Sequence, residues 1–223
     1  MTATPVTATP RILDRFEEIS AGYDVLLCDL WGCYHNGVEP YPAAVAALQA
    51  FRRQGGAVVL LTNAPRPSGA VKLHLDAMGA PEDSYDAIVS SGDATRAELA
   101  AGRFGRRIHI VGADRDRPVW EGLDLAHAPL EEAESILCAG LRDDSVETPA
   151  DYADLVAGGV ARDLPFACAN PDIVVDRAEA RLWCAGAIAR DYAAAGGRVF
   201  YFGKPHAPIY HLVLSKAETL RPG

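Results

Sequence analysis

The sequence predicts an α/β protein in which a parallel sheet flanked by helices carries a second, smaller α/β unit as an insertion. Three observations support this. Over the first hundred residues, short apolar runs alternate with helical stripes. The links between them are short, which implies right-handed crossovers between parallel strands. After Gly102 the texture changes, and further strand-like runs follow before the chain returns to a strand–helix pattern.

The elements follow in order. Ile12, Leu13, Phe16 and Ile19 recur at helical spacing, predicting a helix over residues 11–21 that stops at Gly22. Residues 23–29 are nearly continuous in apolar character, the mark of a strand covered on both faces. A loop with Gly32, Gly37 and Pro40 leads to a helix over 42–54, and residues 57–61 form a second buried strand. A helix over 68–78, capped by Ser68 and stopped by Gly79, precedes a third strand at 87–90. Asp93 caps the next helix, which runs to residue 101. Strands are expected at 108–111, 135–139 and 166–169, with a helix over 149–160. A helix over 182–195, a strand over 198–202 and a helix over 208–216 complete the reading. The division is a first unit of residues 1–101 and 184–223, and an inserted unit of 102–183. The first ten residues read as a short tail without the basic start and apolar centre of a signal peptide.

Composition narrows the function. With 49% hydrophobic and 23% charged residues, the chain is not wholly disordered. Its apolar runs are too short to cross a bilayer. The formal charge, 21 − 30 = −9, comes without a basic cluster and argues against nucleic acid or anionic membrane as partner. Cysteines at 28, 33, 138, 168 and 184 form no C-x-x-C pair and are odd in number. They read as buried small hydrophobes in a cytoplasmic protein rather than as disulfides or a zinc site.

In parallel sheets, ligands bind at the carboxyl ends of the strands, where Asp29 and Thr62-Asn63 fall. A carboxylate there can attack an electrophile or bind a cation, or it can simply cap local amides. Thr62 and Asn63 offer a hydroxyl, an amide and backbone N–H groups, or form an ordinary turn. Lys204 is one of only three lysines and sits at a strand-to-helix corner between Gly203 and Pro205. That place suits an anion as well as it suits solvent. Trp120, Tyr152, Arg181 and Trp183 could contact a substrate, with core packing or surface pairing as the competing roles.

Six stretches lie in a recognisable order: LLCDLWGCYHNG (26–37), VVLLTNAPRPS (58–68), IVSSGDAT (88–95), ANPDIVV (169–175), CAGAIA (184–189) and FGKPHAPIY (202–210). Together they resemble the haloacid dehalogenase-like superfamily, in particular class IIA, which includes nitrophenylphosphate, pyridoxal phosphate, phosphoglycolate and nucleotide phosphatases. The resemblance implies a Rossmann-like core with an inserted C2-type α/β cap. It implies that Asp29 takes the phosphoryl group as an aspartyl phosphate and binds Mg²⁺ together with the backbone carbonyl of Trp31. Thr62, Asn63 and Lys204 would hold the phosphoryl group, Lys204 also neutralising charge, and Asn170 and Asp172 would stand in the cap near the entrance. The implied partner is a small phosphorylated metabolite, and caps of this class often mediate homodimers.

Two features depart from the pattern. Trp31 stands where the phosphatases carry a second aspartate as general acid, a loss that typically costs about 10²–10⁴-fold. His35 is a candidate substitute, with an ordinary loop histidine as the competing role. The chain also ends at Gly223 before a further core strand bearing metal-binding aspartates. The expectation is that residues 25–28 form a sheet edge, with a longer natural protein, a partner chain or a remodelled core filling the gap. A Mg²⁺-dependent phosphatase is the leading function this leaves, with a non-catalytic phosphate-ligand binder as the alternative and cleavage of a carbon–phosphorus or carbon–halogen bond as a minor enzyme option.

Overall fold

Residues 12–177 and 180–221 are described by the structure, a computed structural model; the expected tail at residues 1–10 lies outside them. A single helical turn, α1 (Glu17–Ser20), precedes β1 (Val25–Asp29), α2 (Pro42–Arg53), β2 (Ala57–Thr62), α3 (Ser68–Ala77), β3 (Ala87–Ser90) and α4 (Ser91–Ala100). The three strands make a parallel sheet in the order β1-β2-β3. There follow β4 (Arg107–Val111), β5 (Ala126–His127), β6 (Ser135–Cys138), α5 (Ala153–Ala161), β7 (Phe166–Cys168), β8 (Val174–Arg177) and β9 (Ala180–Trp183). The last elements are α6 (Ala185–Ala194), β10 (Val199–Tyr201) and α7 (Ala207–Leu220). A second parallel sheet has the order β10-β7-β6-β4-β5, and β8 pairs with β9 as an antiparallel hairpin.

Alternation along β2 decides how the first sheet is covered. Successive side chains point to opposite faces. Val58 and Leu60 therefore pack with Leu48, Phe51 and Leu75 of α2 and α3, while Val59 and Leu61 meet Ile209 and Val213 of α7. Each such fully buried aliphatic side chain contributes roughly 1.5–3 kcal/mol. The second sheet repeats the scheme. Ile136 and Phe166 pack on Leu155, Ile188 and Tyr192, and Leu137 and Ala167 pack on Ala94 and Leu99 of α4. Thus α4 lies between the sheets and ties them together.

Several expectations are corrected. The helix over 11–21 shrinks to α1, because the Glu18 carboxylate accepts the Asp14 and Arg15 N–H groups and Ile12 is 92% exposed. Ser68 is not an N-cap. Its N–H and hydroxyl both donate to Asp93 Oδ1, while Asp93 Oδ2 takes the Ser90 N–H, so one carboxylate serves the starts of α3 and α4. The expected helix at 149–160 opens as a 3₁₀ turn, Pro149–Tyr152, before α5. Leu182 and Trp183 belong to the hairpin, and the helix begins only at Ala185. Cys33 is exposed, whereas Cys138, Cys168 and Cys184 are buried as expected. Among the described residues β1 pairs only with β2, and Leu27 is 37% exposed, so this strand is not covered on both faces. The sequence division puts residues 184–223 with the first unit. In the structure α6 and β10 pack on the second sheet, while α7 returns to the first. Among the described residues no helix is long and apolar enough to cross a membrane.

Candidate active site

The carboxyl ends of β1, β2, β7 and β10 open onto one cavity of ≈ 240 Å³ that Asp29, Thr62, Asn63, Asn170, Asp172 and Lys204 all line. Every side chain singled out from strand ends in the sequence therefore meets at one place, although the strands belong to two sheets. Asp29 closes β1. The Lys204 ammonium donates to its Oδ1 at 2.6 Å, and the Leu30 N–H donates to the same atom at 2.8 Å. Lys204 also reaches the Leu61 carbonyl at 3.4 Å.

Asn63 holds this lysine in place. Its Oδ1 accepts the Lys204 N–H at 2.7 Å, and its Nδ2 donates to the Lys204 carbonyl at 3.2 Å and to Asp172 Oδ1 at 2.9 Å. Such closeness needs Gly203, where a Cβ would come within 2.5 Å of Asn63 Oδ1 and 2.6 Å of Pro171 Cδ. Asp172 is oriented through its N–H, which donates to Asn170 Oδ1 at 3.0 Å. Crowding by surrounding protein raises the Asp172 carboxyl above its ordinary value, against the lowering influence of the Asn63 amide and Lys204. Thr62 is 1% exposed, and its hydroxyl accepts the Ala64 N–H at 3.1 Å.

Trp31 lines the cavity, its ring lying over Gly37, where φ is +89° and a Cβ would sit 2.4 Å from the indole. Only glycine fits there. His35 does not take the role of an acid. It is 2% exposed, its Nδ1 accepts the Gly37 N–H at 3.0 Å, and its ring is edge-on to Trp31. Burial, then the His74 neighbour, push its pKa down to about 4 despite Asp29. It is neutral at pH 7.

Of the aromatic and basic side chains considered for substrate contact, Trp183 lines the cavity. Trp120 packs in the core, and Arg181 pairs with Asp176 on the surface. The buried Tyr152 hydroxyl donates to Glu147 and accepts the Arg142 N–H. The sequence reading missed Arg66, His74, Arg115, Asp116 and Arg177, all of which line the same cavity. Arg66 lies inside a stretch already singled out, between two prolines; the others carry no pattern.

The donor chemistry suits a hard cation. Both described hydrogen bonds to Asp29 fall on Oδ1, which leaves Oδ2 for an ion. Among the described residues no three His, Cys, Asp or Glu side chains gather to enclose one. An ion held by one carboxylate and the Trp31 carbonyl would keep several waters and take further oxygens from substrate, as Mg²⁺ does.

A family model described as haloacid dehalogenase-like hydrolase matches residues 26–126. Comparison with curated proteins gives no match. Among solved structures, a hydrolase of the haloacid dehalogenase-like family from Brucella suis 1330 is 44% identical, with 95% of this chain and 78% of that chain aligned at a TM-score of 0.91. A 4-nitrophenylphosphatase from Thermotoga maritima shares the fold at 22% identity, 89% and 75% coverage and a TM-score of 0.66. So does a glycerol phosphate phosphatase from Mycobacterium tuberculosis in complex with magnesium, at 21% identity, 90% and 60% coverage and a TM-score of 0.66.

Proposed function

The chain belongs to the haloacid dehalogenase-like family of hydrolases, and from that premise we propose that it is a phosphatase acting on a small phosphate ester through Asp29. The observation that carries the reading is the Lys204–Asp29 contact at 2.6 Å, held between two sheets by Asn63. The nitrophenyl and glycerol phosphate phosphatases that share the fold support the same class of reaction.

In this reading the Asp29 carboxylate attacks phosphorus through one oxygen while the Lys204 ammonium and the Leu30 N–H hold the group in place. The bond from phosphorus to the ester oxygen breaks, and the leaving oxygen takes a proton from water, since neither Trp31 nor neutral His35 supplies one. Water then attacks phosphorus, releasing phosphate and restoring the carboxylate. Lys204 stabilises the charge as Asp29 approaches an anionic ester, Thr62 orients the phosphoryl oxygens, and Asn63, its amide taken up by Lys204 and Asp172, keeps the lysine in position. Mg²⁺, when bound by Asp29 and the Trp31 carbonyl, supplies further positive charge to the transferring group. Without a carboxylic acid beside the leaving group, aryl esters turn over faster than alkyl esters.

A panel of phosphate esters led by 4-nitrophenyl phosphate, with Mg²⁺, tests this against Asp29→Asn. We expect the variant to lose at least about 10³-fold in kcat/KM; equal turnover removes Asp29 from the mechanism. Binding of phosphate esters without turnover by either protein gives instead the non-catalytic reading, which Trp31 favours.

A further inference from the structure

We propose that the cleft holds a second anion-binding subsite centred on the Arg66 guanidinium, so that its substrate is a phosphate ester bearing another negative group, a carboxylate or a second phosphate. The proposal takes the reacting end from the reading above and adds the chemistry of the other end.

Arg66 is fixed before any ligand arrives. Pro65 and Pro67 restrict the backbone on either side of it. The Gly92 N–H, at the start of α4, donates to the Ala64 carbonyl at 3.1 Å. A Cβ on Gly92 would strike the Pro65 carbonyl oxygen at 2.3 Å, so the loop and the helix are in direct backbone contact. The side chain placed in this way lines the cavity that Asp29 and Lys204 line.

Its bonding is incomplete. Among the described residues Arg66 Nε is buried with no hydrogen-bond partner. A buried donor of a charged group without an acceptor is costly, and a guanidinium presents its donors as a planar fork matched to carboxylate and phosphate. The surrounding charges reinforce the point. Burial, then the neighbouring Arg115 and Arg177, disfavour the charge on Arg66, with Asp116 opposing them. Asp144 is already paired with Arg115. At this end three guanidinium groups (Arg66, Arg115, Arg177) face two carboxylates (Asp116, Asp144), while at the other end Lys204 faces Asp29 and Asp172, so the cavity lining balances as a whole and its cationic excess lies on the Arg66 side. His74 does not alter that sum, because burial and then Arg66 and Arg177 hold its pKa below the ordinary value. That local excess, beside a donor with no acceptor among the described residues, favours an anionic group at this end. Leu141, Val175, Leu182 and Trp183 line the same cavity and offer apolar surface for a short carbon chain between two charged ends.

The test uses a series on one three-carbon skeleton: glycerol phosphate with a neutral tail, phosphoglycerate with a carboxylate tail, and glycerol bisphosphate with a phosphate tail. Affinities are measured calorimetrically with Mg²⁺, with and without Arg66→Gln, both in an Asp29→Asn background so that no probe is consumed. At least one anionic-tailed probe should bind about 10- to 100-fold more tightly than glycerol phosphate. The tighter of the two identifies the tail. Arg66→Gln should erase that gap while changing glycerol phosphate affinity less than about twofold, and Arg66→Lys should restore part of it. If Arg66→Gln does not fold, Arg177→Gln on the exposed hairpin must narrow the gap severalfold. Equal affinity for all three probes, no binding of any, or an equal loss for all three on Arg66→Gln overturns the subsite. A gap in the Asp29→Asn background together with no turnover of any ester by the unsubstituted protein overturns the phosphatase reading alone, and turnover by the unsubstituted protein without a gap overturns the subsite alone.

Discussion

At the Asp29 end of the cleft, Lys204, Asn63 and Asp172 join the carboxylate in a chain of hydrogen bonds between 2.6 and 2.9 Å. At the Arg66 end, the 3₁₀ turn Asp114–Val119, the β8–β9 hairpin and the loop after β2 bring guanidinium groups together, with Arg66 Nε unanswered among the described residues. The first is a preorganised network whose members hold one another in place before substrate binds, which suits stabilisation of charge as it develops. The second leaves a donor open toward the cleft, which suits selection among ground states. The contrast separates turnover from choice of substrate, and each variant below disturbs one without the other if the separation is real.

The largest effect is expected for Lys204→Met. It removes the cation beside Asp29 and should lower kcat/KM by about 10²–10³-fold, roughly 2.7–4 kcal/mol of barrier. The preference for an anionic tail, read as binding, should remain; if it falls in parallel, the two ends are one site. Next comes Gly203→Ala. Its Cβ must displace Asn63 or Pro171, and overpacking of this kind costs about 1–3 kcal/mol. A fall in Tm of about 2–12 °C should accompany a loss of activity. An unchanged Tm would mean that the corner is looser than the contacts indicate.

The smallest effect concerns His35, whose ring lies between Trp31 at one end and His74 at the other. Its folded pKa of about 4 lies below the ordinary 6.5. Between these values the unfolded chain binds more protons, so stability is complete above pH 6.5 and declines as pH falls toward 4. The loss between pH 6.5 and about 5.5 is roughly 1 kcal/mol. His35→Asn keeps an acceptor for the Gly37 N–H and cannot titrate, so its Tm should vary less over this range. An identical pH profile for both proteins would place the titrating group elsewhere.

The Asp29 end was legible in the sequence because strand ends announce themselves: an apolar run stops, and Asp29 or Thr62-Asn63 follows. Lys204 stood out through its rarity and its glycine–proline setting. The Arg66 end was not legible. Arg66 is a lone basic residue between prolines, and Arg115 and Arg177 come from a 3₁₀ turn and a hairpin. That hairpin has no Gly, Asn or Pro between its strands, and Leu182 and Trp183 continue smoothly into the apolar spacing of the helix that follows. The partner of β10 was hidden for another reason. Sequence order shows that Val199–Tyr201 is a strand, but nothing in it says which sheet it joins.

That membership has a mechanical meaning. Because β10 hangs from the second sheet, the ammonium that readies Asp29 is carried by the opposite half of the molecule and works as a latch. Shear between the layers would withdraw it before either hydrophobic centre melted. Inactivation on heating or proteolysis would then report the loosening of the seam, well ahead of global unfolding.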